Sequence, residues 1–436
     1  MASGHDLSTA TRLATSRSEN YSHIRMLKRL LPLVLIQFVI AGFGFLTRVQ
    51  IASELGKEAF GEMAFAVAIG TYALMFIQFG FDKSLVREFV HFPNRLGELL
   101  KASLVVKLAL FVSLGLLSSI TIWNVPGVLG ESWALYGIAL ATALMAFQLQ
   151  PVFDAWKETR RHATYFFVER CLYFGLIWLV VLLPFLHLSL LDVGICMILS
   201  VCVGLWLQYK WAIPRIDFLP VEGLKASTGA MCRSNIWVWS AVLAGLSIDY
   251  MTQIILKYNS GNDSLGGYSA AWLIVRLALI AQSQFARIGA EKIARNTRPE
   301  SDVLSRGRFL LKYTLSMTAI GGIVGLPCIL FPELLLSAFG AEYSESAVML
   351  GILGFYPIVF GPYLALVQYV ISSCLEKTYF ILTGLIGAIS ISTSLYLVPK
   401  MHGEGAAIAV IISLAMALLL FGAATLLHLK SLRRNH

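Results

Sequence analysis

The chain has 436 residues, of which 57% are hydrophobic and only 14% are charged, and its formal net charge is +9. Its mean hydropathy is +0.74, whereas a soluble domain carries charge at roughly a quarter of its positions. The composition therefore excludes a soluble globular protein and makes the lipid bilayer the solvent of this chain.

Twelve apolar runs follow a polar first segment. Residues 1–24 are rich in Ser and Thr, which predicts a disordered tail rather than a cleaved signal peptide. Each later run holds about 20 residues, the length at which a helix crosses a hydrocarbon core of roughly 30 Å, and the alternation of outer-membrane strands is missing. The predicted spans are 30–53, 59–80, 101–122, 133–153, 165–186, 188–209, 232–257, 265–288, 310–331, 344–371, 378–398 and 403–428. The fold class is therefore predicted to be all-α and polytopic.

The Lys and Arg residues set the predicted orientation. The two terminal segments and alternate loops hold 27 of the 34, and cytoplasmic loops carry this excess in membrane proteins. Both termini are therefore predicted to be cytoplasmic. Because topology and anionic lipid account for the positive charge, no nucleic-acid partner is expected. The six cysteines lie in or beside apolar runs without CxxC spacing, so neither a disulfide framework nor a metal site is expected.

A basic segment after span 6 divides the chain into two halves of six helices. The predicted units are a tail over 1–24, an N-lobe over 25–209, a cytoplasmic linker over 210–231, a C-lobe over 232–428 and a tail over 429–436. A shift of 205 residues places Gly61 on Gly266 and Arg48 on Gln253. Six helices per half give both halves one orientation, so the sequence predicts parallel repeats with their polar positions in one central cleft.

A pattern of Arg, Gly and aromatic residues runs from residue 46 to residue 90. It consists of Arg48, Leu55-Gly56 with Phe60-Gly61, and Phe79-Gly80-Phe81 with Ser84, Arg87 and Glu88. This segment resembles the bacterial polysaccharide or O-antigen flippases, the lipid-linked oligosaccharide branch of the multidrug and oligosaccharidyl-lipid exporter superfamily. Beyond residue 90 the likeness is one of architecture: twelve spans, cytoplasmic termini and two lobes.

The resemblance implies a V-shaped transporter of the bacterial cytoplasmic membrane. Its substrate would be undecaprenyl-diphosphate-linked oligosaccharide, turned from the inner to the outer leaflet by alternating access. The resemblance implies no cofactor, although coupling to H⁺ or Na⁺ is expected. Besides membrane lipids, the candidate partners are a polysaccharide polymerase and a chain-length regulator.

Two departures from the patterns of related transporters narrow the expected function. Many drug and cation antiporters of this superfamily carry an acidic residue in span 1, where this chain has no Asp or Glu and has Arg48 instead. The two additional C-terminal helices of peptidoglycan-precursor flippases are also not expected. An ion-coupled drug exporter and a flippase for the peptidoglycan precursor are therefore disfavoured.

Two arginines inside spans are the first candidates for binding an anionic lipid head. A diphosphate is doubly charged, and guanidinium groups bind such oxyanions bidentately. Arg276 lies about twelve residues from either end of span 8, where a charge is costly unless it faces a cavity or a partner. Arg48 lies about five residues from the end of span 1, so snorkelling to the interface is an alternative. Gln37 and Gln253 are predicted to add hydrogen bonds, or to serve helix packing.

Asp249 in span 7 is predicted to lie roughly four residues in depth from Arg276, about 6 Å at helical rise. One alternative is a structural ion pair. The other is a switch, in which Asp249 neutralises Arg276 in the empty cleft and binds H⁺ or Na⁺ when the diphosphate takes the arginine.

Further charges lie near the predicted cytoplasmic interface. Lys107, Glu169 and Arg170 are candidates for receiving the lipid head, with snorkelling as the alternative. Asp82, Arg87 and Glu88 lie where span 2 ends, and bracing of the loop is the favoured role there.

An enzyme that polymerises, ligates or transfers sugars on the same lipid is the competing class. Such enzymes generally need a large outer loop or a soluble domain, whereas the predicted outer loops here hold at most about a dozen residues. The chain is therefore predicted not to be an enzyme.

Overall fold

The described residues of a computed structural model form helices joined by short turns, and none of them forms a strand. The structure describes residues 4–82, 85, 96–124, 133–183, 187–216, 224–296, 303–373 and 375–434. The first half holds α1 (Gly4–Gln78), α2 (Leu96–Asn124), α3 (Trp133–Leu144), α4 (Gln150–Ala155), α5 (Thr159–Leu182) and α6 (Leu190–Ala212). The second half holds α7 (Leu224–Leu246), α8 (Thr252–Asn296), α9 (Val303–Leu330), α10 (Pro332–Leu336), α11 (Ala347–Leu353), α12 (Tyr356–Ser372) and α13 (Glu376–Arg434).

Three helices are bent by a single non-helical residue. The residue is Gly56 in α1, Gly261 in α8 and His402 in α13. Helices α1 and α13 each cover two predicted spans, whereas α8 covers the end of span 7 and all of span 8. Among the described residues, nine segments are long and apolar enough to cross a membrane, and three of them contain these bends. The predicted all-α fold of about twelve spans in two lobes is confirmed.

The repeat predicted by the 205-residue shift is visible in the backbone. Gly56 has φ 80° and ψ 171°, and Gly261, 205 residues later, has φ 81° and ψ 179°. Glycine populates positive φ readily because it has no Cβ. The same bend therefore ends the first span of each half.

Several predicted boundaries differ from the structure. Span 4 is interrupted between α3 and α4, because Pro151 lacks an N–H and favours the first turn of a helix. Span 10 is divided in the same way before Pro357 in α12. The predicted disordered tail also differs, since α1 is helical from Gly4; extending an existing helix avoids the cost of nucleation.

The two halves contact each other at the end that the sequence predicts to be outer. At Gly61 a side chain would overlap the carbonyl group of Asn262, and at Gly266 it would overlap the carbonyl group of Lys57. These two contacts are related by the 205-residue shift, so they are the two copies of one repeat contact. The absence of a Cβ at both positions lets the bent helices cross closely.

Candidate functional site

A cavity of about 430 Å³ lies between the lobes. Its polar lining includes the three arginines Arg48, Arg170 and Arg276, together with Gln37 and Gln284, and none of the described lining residues is acidic. The remaining lining is largely apolar and aromatic. Such a cavity attracts a ligand that combines negative charge with apolar or ring surfaces.

A smaller cavity of about 40 Å³ adjoins the first and shares Arg48 and Arg276 with it. Gln253 also lines it and is 4% exposed. The overlay of the halves placed Arg48 on Gln253, and the structure brings both residues to this common space. The placement of Gln37, Gln253, Arg48 and Arg276 around one cleft agrees with the sequence prediction; their role in binding stays a prediction.

Aromatic rings surround the guanidinium group of Arg276. Its Cζ atom lies 4.9 Å from the ring centroid of Tyr250 and 5.6 Å from that of Trp272. These rings offset part of the cost of the buried charge through cation–π attraction. Arg48 lies within electrostatic range of Arg170 and Arg276, so like charges face one another across the cavity. An anion between them would relieve that repulsion.

Asp249 occupies a wide helical turn, Ser247–Met251, between α7 and α8. Such π-type turns often mark functional sites in helices. The carboxylate of Asp249 interacts electrostatically with Arg276, but the two side chains form no ion pair, and the Oδ1 atom is buried without a hydrogen-bond partner. The structural ion pair is therefore not present in this conformation, and the switch role stays a prediction.

A charged cluster joins the two halves at the end that the sequence predicts to be outer. The Lys57 Nζ atom lies 2.9 Å from Asp263 Oδ2 and 3.3 Å from Glu345 Oε2. Burial lowers the pKa of Lys57, but its hydrogen bonds and ion pairs with the two acids outweigh burial and raise the pKa above its ordinary value. Nearby, the Asn262 amide donates to Glu62, and the Tyr343 hydroxyl donates to the Ala52 carbonyl. We call Lys57, Asp263 and Glu345 the outer latch.

Comparison with known protein families identifies the family of this chain. A family model described as polysaccharide biosynthesis protein matches residues 26–290, more than half of the chain. The chain belongs to this family. A search of curated protein sequences gives no significant match.

Solved structures share the fold of this family member at low sequence identity. An inward-facing multidrug resistance MATE transporter of the MOP superfamily has a TM-score of 0.74 at 13% identity, covering 92% of this chain and 99% of its own. An outward-facing MATE transporter has a TM-score of 0.58 at 13% identity, with coverages of 93% and 95%. A MOP transporter from Pyrococcus furiosus, described as having reversed pocket polarity, has a TM-score of 0.59 at 13% identity, with coverages of 93% and 96%.

Lys107 does not line the cavity, so the structure does not bring it to the candidate site. It is 3% exposed, donates to the Ala146 carbonyl oxygen over 2.8 Å and pairs with Asp82 over 3.2 Å. Its ammonium group therefore links α2 to the end of span 2 and to the turn after α3. The ion pair of Asp82 agrees with bracing, which stays a prediction, while Arg87 and Glu88 lie outside the described residues.

Glu169 and Arg170 are neighbours that point in different directions. Arg170 lines the cavity and lies over the Phe166 ring, with 4.7 Å from its Cζ atom to the ring centroid. Glu169 is 1% exposed and packs between helices, where Gln148 donates to its Oε2 atom. The structure therefore brings Arg170 to the site and places Glu169 behind it.

Sequence reasoning missed the aromatic partners of Arg276 and the outer latch. Trp272 precedes Arg276 by four residues, so helical periodicity alone could have placed the two on one face. Lys57 and Asp263 lie in two separate predicted outer loops and Glu345 lies at the start of predicted span 10, so only the fold brings them together. Among the described residues, no group of three or more His, Cys, Asp or Glu side chains is placed to hold a metal ion.

Proposed function

We propose that this protein is a flippase that turns undecaprenyl-diphosphate-linked oligosaccharide from the inner to the outer leaflet of the bacterial cytoplasmic membrane. The observation that carries the proposal is the interlobe cavity with three arginines and no acidic residue in its described lining. The membership of the chain in a polysaccharide biosynthesis family supports the same substrate class.

The chemistry of the cavity fits the lipid head. A diphosphate must leave water to cross the membrane, and guanidinium groups replace water with paired N–H donors that remain charged. Arg48 and Arg276 line both cavities and so are proposed as the central diphosphate ligands. Trp272, Tyr250 and Tyr173 offer ring faces for the sugar.

The conformation fits the loading step of alternating access. The outer latch joins the lobes at the predicted outer end, and the overlay is closer with the inward-facing MATE transporter than with the outward-facing one. We propose that this conformation receives the lipid from the cytoplasmic leaflet. Opening of the latch would then release the head to the outer leaflet.

Ion coupling is proposed to involve Asp249. Its buried carboxylate would bind H⁺ or Na⁺ when the diphosphate engages Arg276, since the ion would replace the electrostatic support of the arginine. If Asp249→Asn left both the flipping rate and its dependence on ion gradients unchanged, this role would be wrong. A polymerase and a chain-length regulator remain candidate partners.

An exporter of small cationic drugs is the alternative, because the structural neighbours include multidrug transporters. The arginine-lined cavity disfavours it, since three like charges repel a cationic ligand. Cation transport and lipid flipping can be measured on the same proteoliposomes.

The test is flipping of a fluorescent undecaprenyl-diphosphate oligosaccharide in proteoliposomes under proton or Na⁺ gradients. Wild type should flip the lipid, while Arg48→Ala and Arg276→Ala should remain folded and bind it poorly. Arg308→Ala is the matched control, because Arg308 is exposed outside the cavity. A wild-type protein that moves a small cation and leaves the lipid in place would replace this proposal with the drug exporter.

A further inference from the structure

Glu169 is a buried carboxyl group in the middle of the N-lobe that the proposed transport cycle has not used. It lies on α5 and is 1% exposed. The facing residue on α6 is Gly204, where a Cβ atom would come 2.6 Å from Glu169 Oε2. The close packing of α5 against α6 therefore leaves space for the carboxyl group only because residue 204 has no side chain.

The surroundings of Glu169 do not satisfy an ionised carboxylate. The Gln148 amide donates to Oε2 over 3.2 Å, while Oε1 is buried without a hydrogen-bond partner. A buried carboxylate is stable when several donors or a close cation hold it. One neutral donor on one oxygen is poor support for a full negative charge, so the site favours the neutral, protonated acid.

Arg170 is the charged group that acts on Glu169. Its Nη2 atom lies 3.9 Å from Glu169 Oε1, at the outer limit of an ion pair. Gln148 from the turn after α3 and Gly204 from α6 bring no charge, and no other charged group among the described residues acts on this carboxyl. The guanidinium group of Arg170 faces the cavity instead, where it lies over Phe166.

We infer that Glu169 is a proton-binding site whose occupancy is linked to the anion in the cavity through Arg170. When an anion engages Arg170, the guanidinium charge is compensated and Glu169 takes a proton from solvent onto a carboxylate oxygen. When the cavity is empty, the uncompensated charge of Arg170 weakens proton binding at Glu169, so only part of the protein carries this proton at neutral pH. The linkage rests on the proposed function, because a lipid diphosphate is the anion.

Linkage makes the effect reciprocal. If anion binding raises the affinity of Glu169 for a proton, protonation of Glu169 raises the affinity for the anion by the same factor. This gives the N-lobe its own coupling pair, Glu169 with Arg170, beside Asp249 with Arg276 in the C-lobe. The two pairs differ in position, so single variants separate them.

The first experiment reads the protonation state directly, without any ligand or transport. Infrared spectra of the purified protein at pH 7 are compared for wild type, Glu169→Gln and Glu333→Gln. Glu333 is exposed, so its variant is the matched control. A carboxylic-acid C=O band should be present in wild type, lost in Glu169→Gln and retained in Glu333→Gln. A wild-type spectrum without a band that depends on Glu169 would overturn the proton site.

The second experiment measures the linkage. Farnesyl diphosphate is added to the protein in detergent in a weakly buffered solution, and proton uptake is followed with an indicator dye. Wild type should bind the compound and take up protons, whereas Glu169→Gln should bind it without that uptake. Arg170→Gln should keep the infrared band and lose the uptake, because it removes only the connection between the sites.

The outcomes separate this inference from the proposed function. If Glu169→Gln and wild type bind farnesyl diphosphate with equal proton uptake, the linkage is wrong although the diphosphate site stands. If wild type does not bind the compound, the proposed function and the linkage both fall. The proton site at Glu169 is then decided by the infrared band alone.

Discussion

Lys57 of the N-lobe forms an ion pair with Asp263 of the C-lobe, with 2.9 Å between Nζ and Oδ2. The side chain of Lys57 is 7% exposed, whereas that of Asp263 is 65% exposed. The latch therefore combines a buried cation with acids that water can reach. An interaction of this kind can hold two lobes together and still release them, because water can replace the protein partner on the acidic side.

Replacing Lys57 by Met should shift the protein toward the outward-open conformation. The variant leaves Asp263 and Glu345 facing each other without a cation, and pairs with exposed acids contribute about 0.2–1 kcal/mol each. The two pairs together contribute about 0.4–2 kcal/mol, so the open population should rise by about 2- to 30-fold. Spin-label distances between the outer loop that holds Lys57 and the outer loop that holds Asp263 would measure the shift. Lys400→Met serves as the control. An unchanged distance distribution would remove the latch from the gating scheme.

Titration of Lys57 should not open the latch in the physiological pH range. Its pKa is raised, so the stabilisation that it contributes is complete below the ordinary lysine value of about 10.4 and is lost as the pH rises through the raised value. The spin-label distances of wild type should therefore stay constant between about pH 7 and 9. Outer opening within that interval would contradict the assignment of Lys57 as the cation that holds the latch.

Substitution of Gly61 or Gly266 by Ala should prevent complete closure of the outer end. Each new methyl group would overlap a backbone carbonyl group of the other lobe, and overpacking of this kind costs about 1–3 kcal/mol. Both variants should melt at lower temperature and show longer outer-loop distances, with similar effects because the contacts are repeat-related. Gly42→Ala is the control, since a Cβ atom there meets nothing within 4 Å. A normal closed distance in Gly61→Ala would show that the contact accommodates a methyl group without separation of the backbones, which would contradict this prediction.

The sequence predicted the repeat because helix ends depend on local rules. Gly56 and Gly261 are the residue type that a positive φ favours, and their spacing equals the shift found in the sequence. The placement of Arg48, Gln253 and Arg276 in one cleft followed, because residues at similar depth in repeated helices face the same axis.

The partners of the buried charges could not be predicted in the same way. A Lys inside a span has the same sequence pattern whether it snorkels, binds a ligand or forms an ion pair, and only the rotation of the helix decides. Lys107 pairs with Asp82, and Lys57 pairs with Glu345, which lies 288 residues away in the sequence. Contacts of that range depend on the packing of the lobes, which no local pattern encodes.

Lys107→Met should destabilise the fold and leave the affinity for diphosphate unchanged. The substitution removes the cation beside Asp82 and leaves the Ala146 carbonyl oxygen without its donor, at a cost of about 1–3 kcal/mol. Thermal unfolding should show the loss, and the double variant with Asp82→Asn should lose less than the sum of the single variants. A stable Lys107→Met protein that binds farnesyl diphosphate poorly would restore Lys107 as a substrate ligand.

Arg276→Lys should weaken diphosphate binding even though the charge is kept. Lysine presents a compact ammonium group, so it loses the bidentate geometry and the flat stacking against Tyr250 and Trp272. We expect a loss of about tenfold in affinity, equivalent to about 1.4 kcal/mol. Calorimetry with farnesyl diphosphate measures it, and Arg308→Lys provides the same chemical change at an exposed position. Equal affinities of wild type and Arg276→Lys would mean that Arg276 acts through charge alone. An affinity as low as that of Arg276→Ala would show that guanidinium geometry supplies the whole contribution.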